Sequence, residues 1–169
     1  MEYKLKPISP SGIPEAFSKI ELYRYLNEPE EAESICRDVL AIEPENQLAL
    51  RLLGLSITDQ FSGDLADRYG EVETAFRSLT EPYERSYYMG ILHERRAKAQ
   101  LQVGRPPHTV RVLLDHAMRC FEEAEKIRPQ DNDDAILRWN RCVRLVETLP
   151  SAEREQEVHV FEAGDSPPI

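Results

Sequence analysis

His93 and Glu94 open the stretch HERRA at residues 93–97, and they match the first two letters of HExxH, the pattern by which a helix holds zinc and its general base. That chemistry needs a second histidine one helical turn on, to bind the same ion. Position 97 is Ala97, so the stretch reads as the charged face of a helix. His108 and His116 are two turns apart with no third ligand nearby in the sequence. They read as satisfied or surface histidines rather than zinc ligands. DNDD at residues 131–134 has the acidity of a calcium loop, yet it lacks glycine at the sixth position and has Cys142 where a bidentate glutamate is required. Those acids are expected to cap the helix that follows.

Cys36, Cys120 and Cys142 are odd in number, form no CxxC pair and sit inside apolar helical patterns. They read as reduced core thiols. The chain contains no GxSxG, no glycine-rich phosphate loop and no recognisable Cys-His motif. No catalytic residue, metal or cofactor is assigned, and the protein is expected not to be an enzyme.

The residues that do stand out are those that position helices. With 169 residues, 41% of them hydrophobic and 31% charged, the chain suits one domain with a continuous core. No apolar run approaches the roughly 18 residues of a membrane span. MEYKLKPISPSG at the N-terminus does not read as a signal peptide, for it has no apolar stretch, and a cytoplasmic protein is expected. Residues 1–80 carry 15 acids against 8 bases, residues 81–150 carry 11 against 12, and residues 151–169 carry 5 against 1. This acidic balance, −10 overall, argues against nucleic acid or an anionic membrane as partner.

Ala16, Phe17, Ile20, Tyr23 and Tyr25 fall largely at helical spacing after Pro14. NEPEEAE then breaks the helix: Asn27 suits the left-handed conformation past a helix end, Pro29 suits a first turn, and Glu30, Glu31 and Glu33 favour the N-terminal dipole. Ala32, Ile35, Cys36, Val39 and Leu40 give the next apolar face, up to Pro44. ENQLALRLLGLSI starts a third helix. The motif AIEPENQLALRLLG at residues 41–54 returns as KIRPQDNDDAILRWN at 126–140.

Residues 14–57 resemble the tetratricopeptide repeat (TPR), a helix-turn-helix unit of 34 residues. Ala32, Cys36 and Pro44 match its small, core and closing positions, and Leu53 and Gly54 stand where the next unit's Leu-Gly is expected. Ala117, Phe121, Ala124 and Pro129 repeat the signature, followed by Ile136 and Trp139 as core residues. The middle departs from the family. A helical stripe runs through Leu65, Tyr69, Val72, Phe76 and Leu79, Gly70 occupies the aromatic slot, and Pro82 comes a turn late. Two helices of near 20 residues follow, pivoting on GRPP at 104–107, and their extensions are expected to pack on each other.

The resemblance implies an all-α, TPR-like right-handed superhelix of antiparallel hairpins with about seven helices. Residues 1–13 form an N-terminal extended segment, 14–149 the repeat domain and 150–169 an acidic flexible tail, in which EVHVF suits a strand when docked. The implied function is that of a protein-binding adaptor or scaffold, with a peptide held in the groove lined by the first helix of each unit. Phe17, Glu21, Arg24 and Tyr25 map to that groove from the first helix, Leu48, Arg51, Leu55 and Thr58 from the third, and Asp134, Leu137, Arg141 and Arg144 from the last. The extended helix offers Tyr87, Arg95 and Lys98. Chaperone-binding relatives clamp a carboxylate with Lys and Asn at positions that here read Phe17 and Glu21, so that specificity is not expected. The alternative is an assembly subunit self-associating through the hairpin 83–127. Docking of the C-terminal tail against Arg51, Arg138, Arg141 and Arg144 is a further expectation, from opposite charge.

Overall fold

Prolines set the helix starts. Pro14, Pro29, Pro82 and Pro107 each occupy the first or second position of a helix, where a missing N–H costs nothing. The computed structural model describes residues 3–150; the segment 151–169, with its EVHVF stretch, lies outside the described residues. After a single 3-10 turn, Pro10–Gly12, come α1 (Ile13–Tyr25), α2 (Pro29–Ile42), α3 (Gln47–Thr58), α4 (Tyr69–Arg77), α5 (Pro82–Gln102), α6 (Pro107–Lys126) and α7 (Asp134–Thr148). The expected all-α fold of seven helices is present among the described residues. Asn27 takes φ 60° after α1, as expected, and Gly104 takes φ 73° in the turn between α5 and α6.

Each helix packs against its neighbours in sequence, and α3 also touches α1 and α5. The result is a row of hairpins with the odd-numbered helices side by side. The core is continuous along the row. Phe17 and Leu40 join the cluster around Ile13, Val39 and Ala49 to the one around Ile20, Cys36, Ile57 and Phe76. Leu55 and Tyr88 join the latter to the cluster around Leu114, Phe121 and Cys142.

Two glycines let paired helices approach. A Cβ at Gly54 would run into the ring of Phe76, and one at Gly90 would stand 2.5 Å from the ring of Phe121. In the stretch between α3 and α5 the buried aromatic ring is Phe76, while Gly70 is exposed. The stripe expected to begin at Leu65 begins at Tyr69 instead, and Leu65 is 92% exposed. The loop before it is turned by the Asp67 carboxylate, which accepts the N–H groups of Ser62 (2.9 Å) and Gly63 (2.8 Å). Gly63, at φ 81°, lies against the Ala99 carbonyl and Val103. The extension of α5 thus receives this loop as well as packing along α6.

Three smaller expectations change. Asp133 and Asp134 do not cap α7 with their carboxylates. Asn132 Oδ1 accepts the Asp134 N–H at 3.0 Å, and Asp133 pairs with Arg128. Trp139 packs on the cluster containing Phe121 but is only partly buried, because no further described helix covers α7. Glu33, placed in the sequence as a dipole-favouring acid, is instead 8% exposed. It binds Arg37 (2.5 Å), Arg68 (2.6 Å) and Gln60 (2.7 Å), tying the loop before α4 to α2. No described helix is long and apolar enough to cross a membrane.

Candidate binding face of the odd-numbered helices

Side chains from α1, α3, α5 and α7 meet in a ladder of charge pairs. Arg24 Nε of α1 donates to Asp59 Oδ2 at 2.8 Å, and Arg95 of α5 pairs with Oδ1 of the same carboxylate. Arg95 Nη1 also donates to Thr58 Oγ1 at 2.7 Å and to the Leu55 carbonyl at 3.1 Å. One arginine therefore joins the C-terminal end of α3, adding to the Asp59 N–H and the Thr58 hydroxyl that the Leu55 carbonyl already accepts. Burial lowers the Arg95 pKa and Asp59 opposes the shift. Arg51 bonds Glu84 at 2.5 Å, its guanidinium 5.8 Å from the centre of the Tyr88 ring.

Between α5 and α7 the acid is Glu94, fully buried. It pairs with Lys98 one turn on and with Arg138 across the gap at 3.4 Å. Burial disfavours the Arg138 charge, but Glu94 and a hydrogen bond with Tyr87 raise its pKa overall. Tyr87 stacks on Tyr83 (5.8 Å) and stands edge-on to Tyr88 (5.1 Å), and Tyr83 donates to Asn132 Oδ1 at 3.2 Å. This aromatic strip meets the ladder where the Arg51 guanidinium faces the Tyr88 ring.

HERRA is thus not a solvated face. Its residues turn to different neighbours: Glu94 to Arg138, Arg95 to Asp59, and Arg96 over the Tyr69 ring at 4.4 Å. The His93 ring stands 5.4 Å from His116 and 6.0 Å from Tyr69. Among the described residues no group of three His, Cys, Asp or Glu is placed to hold a metal ion. The thiols are free, and burial pushes Cys36 and Cys142 up to about 12 and Cys120 to about 11. A protonated thiol is a poor nucleophile at neutral pH.

The residues mapped to the groove divide into three groups. Phe17, Leu48 and Leu55 are half-buried and pack on the core, and Thr58 is 4% exposed. Arg24 and Arg51 are held in the ladder. Glu21, Tyr25, Asp134, Leu137, Arg141 and Arg144 are exposed, Tyr25 at 89% and Leu137 at 63%. The structure brings Arg24, Thr58, Leu55 and Arg95 together around Asp59. It adds three acids the mapping missed, Asp59, Glu84 and Glu94. A repeat-length spacing was the signal for two of them: Arg51 and Glu84 are 33 residues apart, Arg24 and Asp59 are 35 apart, and Asp59 and Arg95 are 36 apart, whereas Glu94 and Arg138 are 44 apart. Opposite charges at one repeat's distance meet when units stack.

Comparison with protein-family models, with curated proteins and with solved structures finds no match. The likeness to TPR proteins therefore rests on the residues quoted above.

Proposed function

We propose that this chain is a non-catalytic, cytoplasmic adaptor that binds a peptide segment of a partner protein on the face of α1, α3, α5 and α7. The observation that carries the reading is the pairing of a rigid ladder with exposed recognition groups on the same helices. The ion pairs and stacked tyrosines fix the helices, while Tyr25, Leu137, Arg141 and Arg144 project outward. A surface held in place before binding loses less entropy when it takes a ligand. Exposed aromatic and arginine side chains are the types that dominate binding energy.

The test is a screen of the full chain against a displayed peptide library. Binders should weaken at least tenfold on Leu137→Ala or Arg141→Ala, with helical circular dichroism unchanged. Binding indifferent to these changes would sink the adaptor reading.

Assembly through the hairpin 83–127 is the second reading, favoured by Val103 and Val112, 53% and 52% exposed on that hairpin. It requires a mass in light scattering that grows with concentration in the absence of ligand. An adaptor stays monomeric.

A further inference from the structure

The half of this face built by α5 and α7 is cationic in a protein that is otherwise acidic. Lys98 and Arg138 share the buried Glu94 there, and Arg141 and Arg144 stand exposed further along α7, with Asp134 as the exposed acid of the same mapped set. Arg141 and Arg144 are exposed and enter no ion pair among the described residues. Uncompensated arginines on a fixed helix attract carboxylates, with bidentate geometry available to each guanidinium.

The chain itself supplies such carboxylates next to this surface. At the end of α7, Arg111 Nη2 donates to the carbonyls of Leu149 (3.1 Å) and Pro150 (2.6 Å), so residue 151 starts from a fixed point one or two turns from Arg144. Residues 151–169 carry five acids and one base. Nineteen extended residues reach about 60 Å, whereas α7 is about 22 Å long and neighbouring helix axes lie about 10 Å apart. Reach is ample. In an extended chain Glu153, Glu155, Glu157 and Phe161 fall on one side, because side chains alternate. Three carboxylates followed by an aromatic ring suit a surface of arginines bordered by Leu137.

We infer that residues 151–169 occupy the α5–α7 half of the binding face, carboxylates on Lys98, Arg141 and Arg144, and that a partner peptide must displace them. This rests on reading the face as a peptide-binding surface. Tethering sets the effective concentration of the segment near millimolar, so contacts too weak to hold a free peptide suffice. Salt shortens the range of the attraction, and occupancy falls as ionic strength rises. A partner that binds must be acidic as well, or must bring enough apolar contact to outcompete an attached acidic segment.

Carbodiimide cross-linking of the full chain decides this, since it joins a carboxylate to an amine in direct contact. Peptide mass spectrometry should find Lys98 joined to Glu153, Glu155 or Glu157 within one molecule, at a yield independent of protein concentration and reduced at least threefold in 0.5 M salt. The Lys98 to Glu94 link is the internal control for amine reactivity. In parallel, hydrogen exchange over residues 134–148 should speed up severalfold in the full chain carrying Glu153→Gln, Glu155→Gln and Glu157→Gln. No tail link to Lys98 with unchanged exchange overturns the proposal. Links found only between isotopically distinct copies overturn it too, assigning the surface to a second copy of the chain. Peptide binding in the library screen is a separate readout, so a vacant face and a non-binding face are told apart.

Discussion

Gly90 lies against the ring of Phe121 so closely that a Cβ there would stand 2.5 Å from it. Phe121 is fully buried and sits among the packed residues of α5, α6 and α7, so the ring has nowhere to retreat. Gly90→Ala should therefore destabilise the fold by about 1–3 kcal/mol, the usual cost of overpacking, despite the gain in helix propensity. Urea denaturation measures it. Gly70→Ala is the control: nothing lies within 4 Å of a Cβ there, and that variant should be neutral or slightly stabilised. Equal effects at the two glycines would contradict this packing.

Glu33 gives an acid-limb prediction. A hydrogen bond from Arg68 is the largest influence on its carboxyl; burial opposes it, and Gln60 and Arg37 add to it, taking the pKa from 4.5 to about 2. The unfolded chain binds the proton first as pH falls. The stabilisation is complete above about pH 4.5 and is lost between there and about pH 2. On the order of 3 kcal/mol is at stake. In Glu33→Gln the difference from the parent protein should be large at neutral pH and vanish near pH 2, read from chemical denaturation at each pH.

His93 acts over a higher range. Burial, then the neighbouring His116, lowers its pKa below 6.5; Arg96 and Arg77 push the same way and Glu73 opposes them. The folded protein therefore resists protonation that the unfolded chain accepts. Stability should be whole above about pH 6.5 and decline as pH drops through that value toward the folded-state pKa. Replacing His93 with Gln should flatten this slope. An unaltered slope between pH 7 and 5.5 would place the titration elsewhere.

Helix starts were legible because proline and left-handed residues act locally: Pro29, Pro107 and Asn27 sit where the sequence put them. What the sequence hid was long-range. The Asp67 turn that shortens α4 depends on two backbone N–H groups and on Gly63 meeting α5, which no periodicity encodes. The acids of the ladder were passed over for a related reason. Asp59 and Glu94 look like surface carboxylates until helices 35 to 44 residues apart bring arginines to them. Gly90 could have been found by the same logic as Gly54, since it too sits where a first helix crosses an aromatic ring.

Trp139 shows the reverse error, a residue assigned to the core from its spacing alone. With full burial its replacement by Ala would cost about 3–5 kcal/mol. As α7 is the last described helix and the indole is only partly buried, the expected cost is about 1–3 kcal/mol, scaled down with the area removed from water. Thermal or urea unfolding followed by circular dichroism measures it, because the variant lacks the only tryptophan.

Glu94 makes the sharpest demand, because it is fully buried while both of its cations are about one-third exposed. Breaking a buried pair by removing one member typically costs about 3–5 kcal/mol, since the other charge is left without compensation. Here the cations can take up water in part. Glu94→Gln is accordingly expected to cost about 1–3 kcal/mol, with Arg138 losing its counter-charge on the α7 side. If the acid serves only to neutralise Arg138, then Glu94→Gln combined with Arg138→Met should recover most of that loss, because no half-buried charge is left stranded. If it instead orders the face, the double variant regains stability but binds selected peptides less well than the parent. A double-mutant cycle that reads both unfolding free energy and peptide affinity separates the two, and a coupling below about 0.3 kcal/mol in stability would mean that the α5 to α7 pair does not hold those helices together.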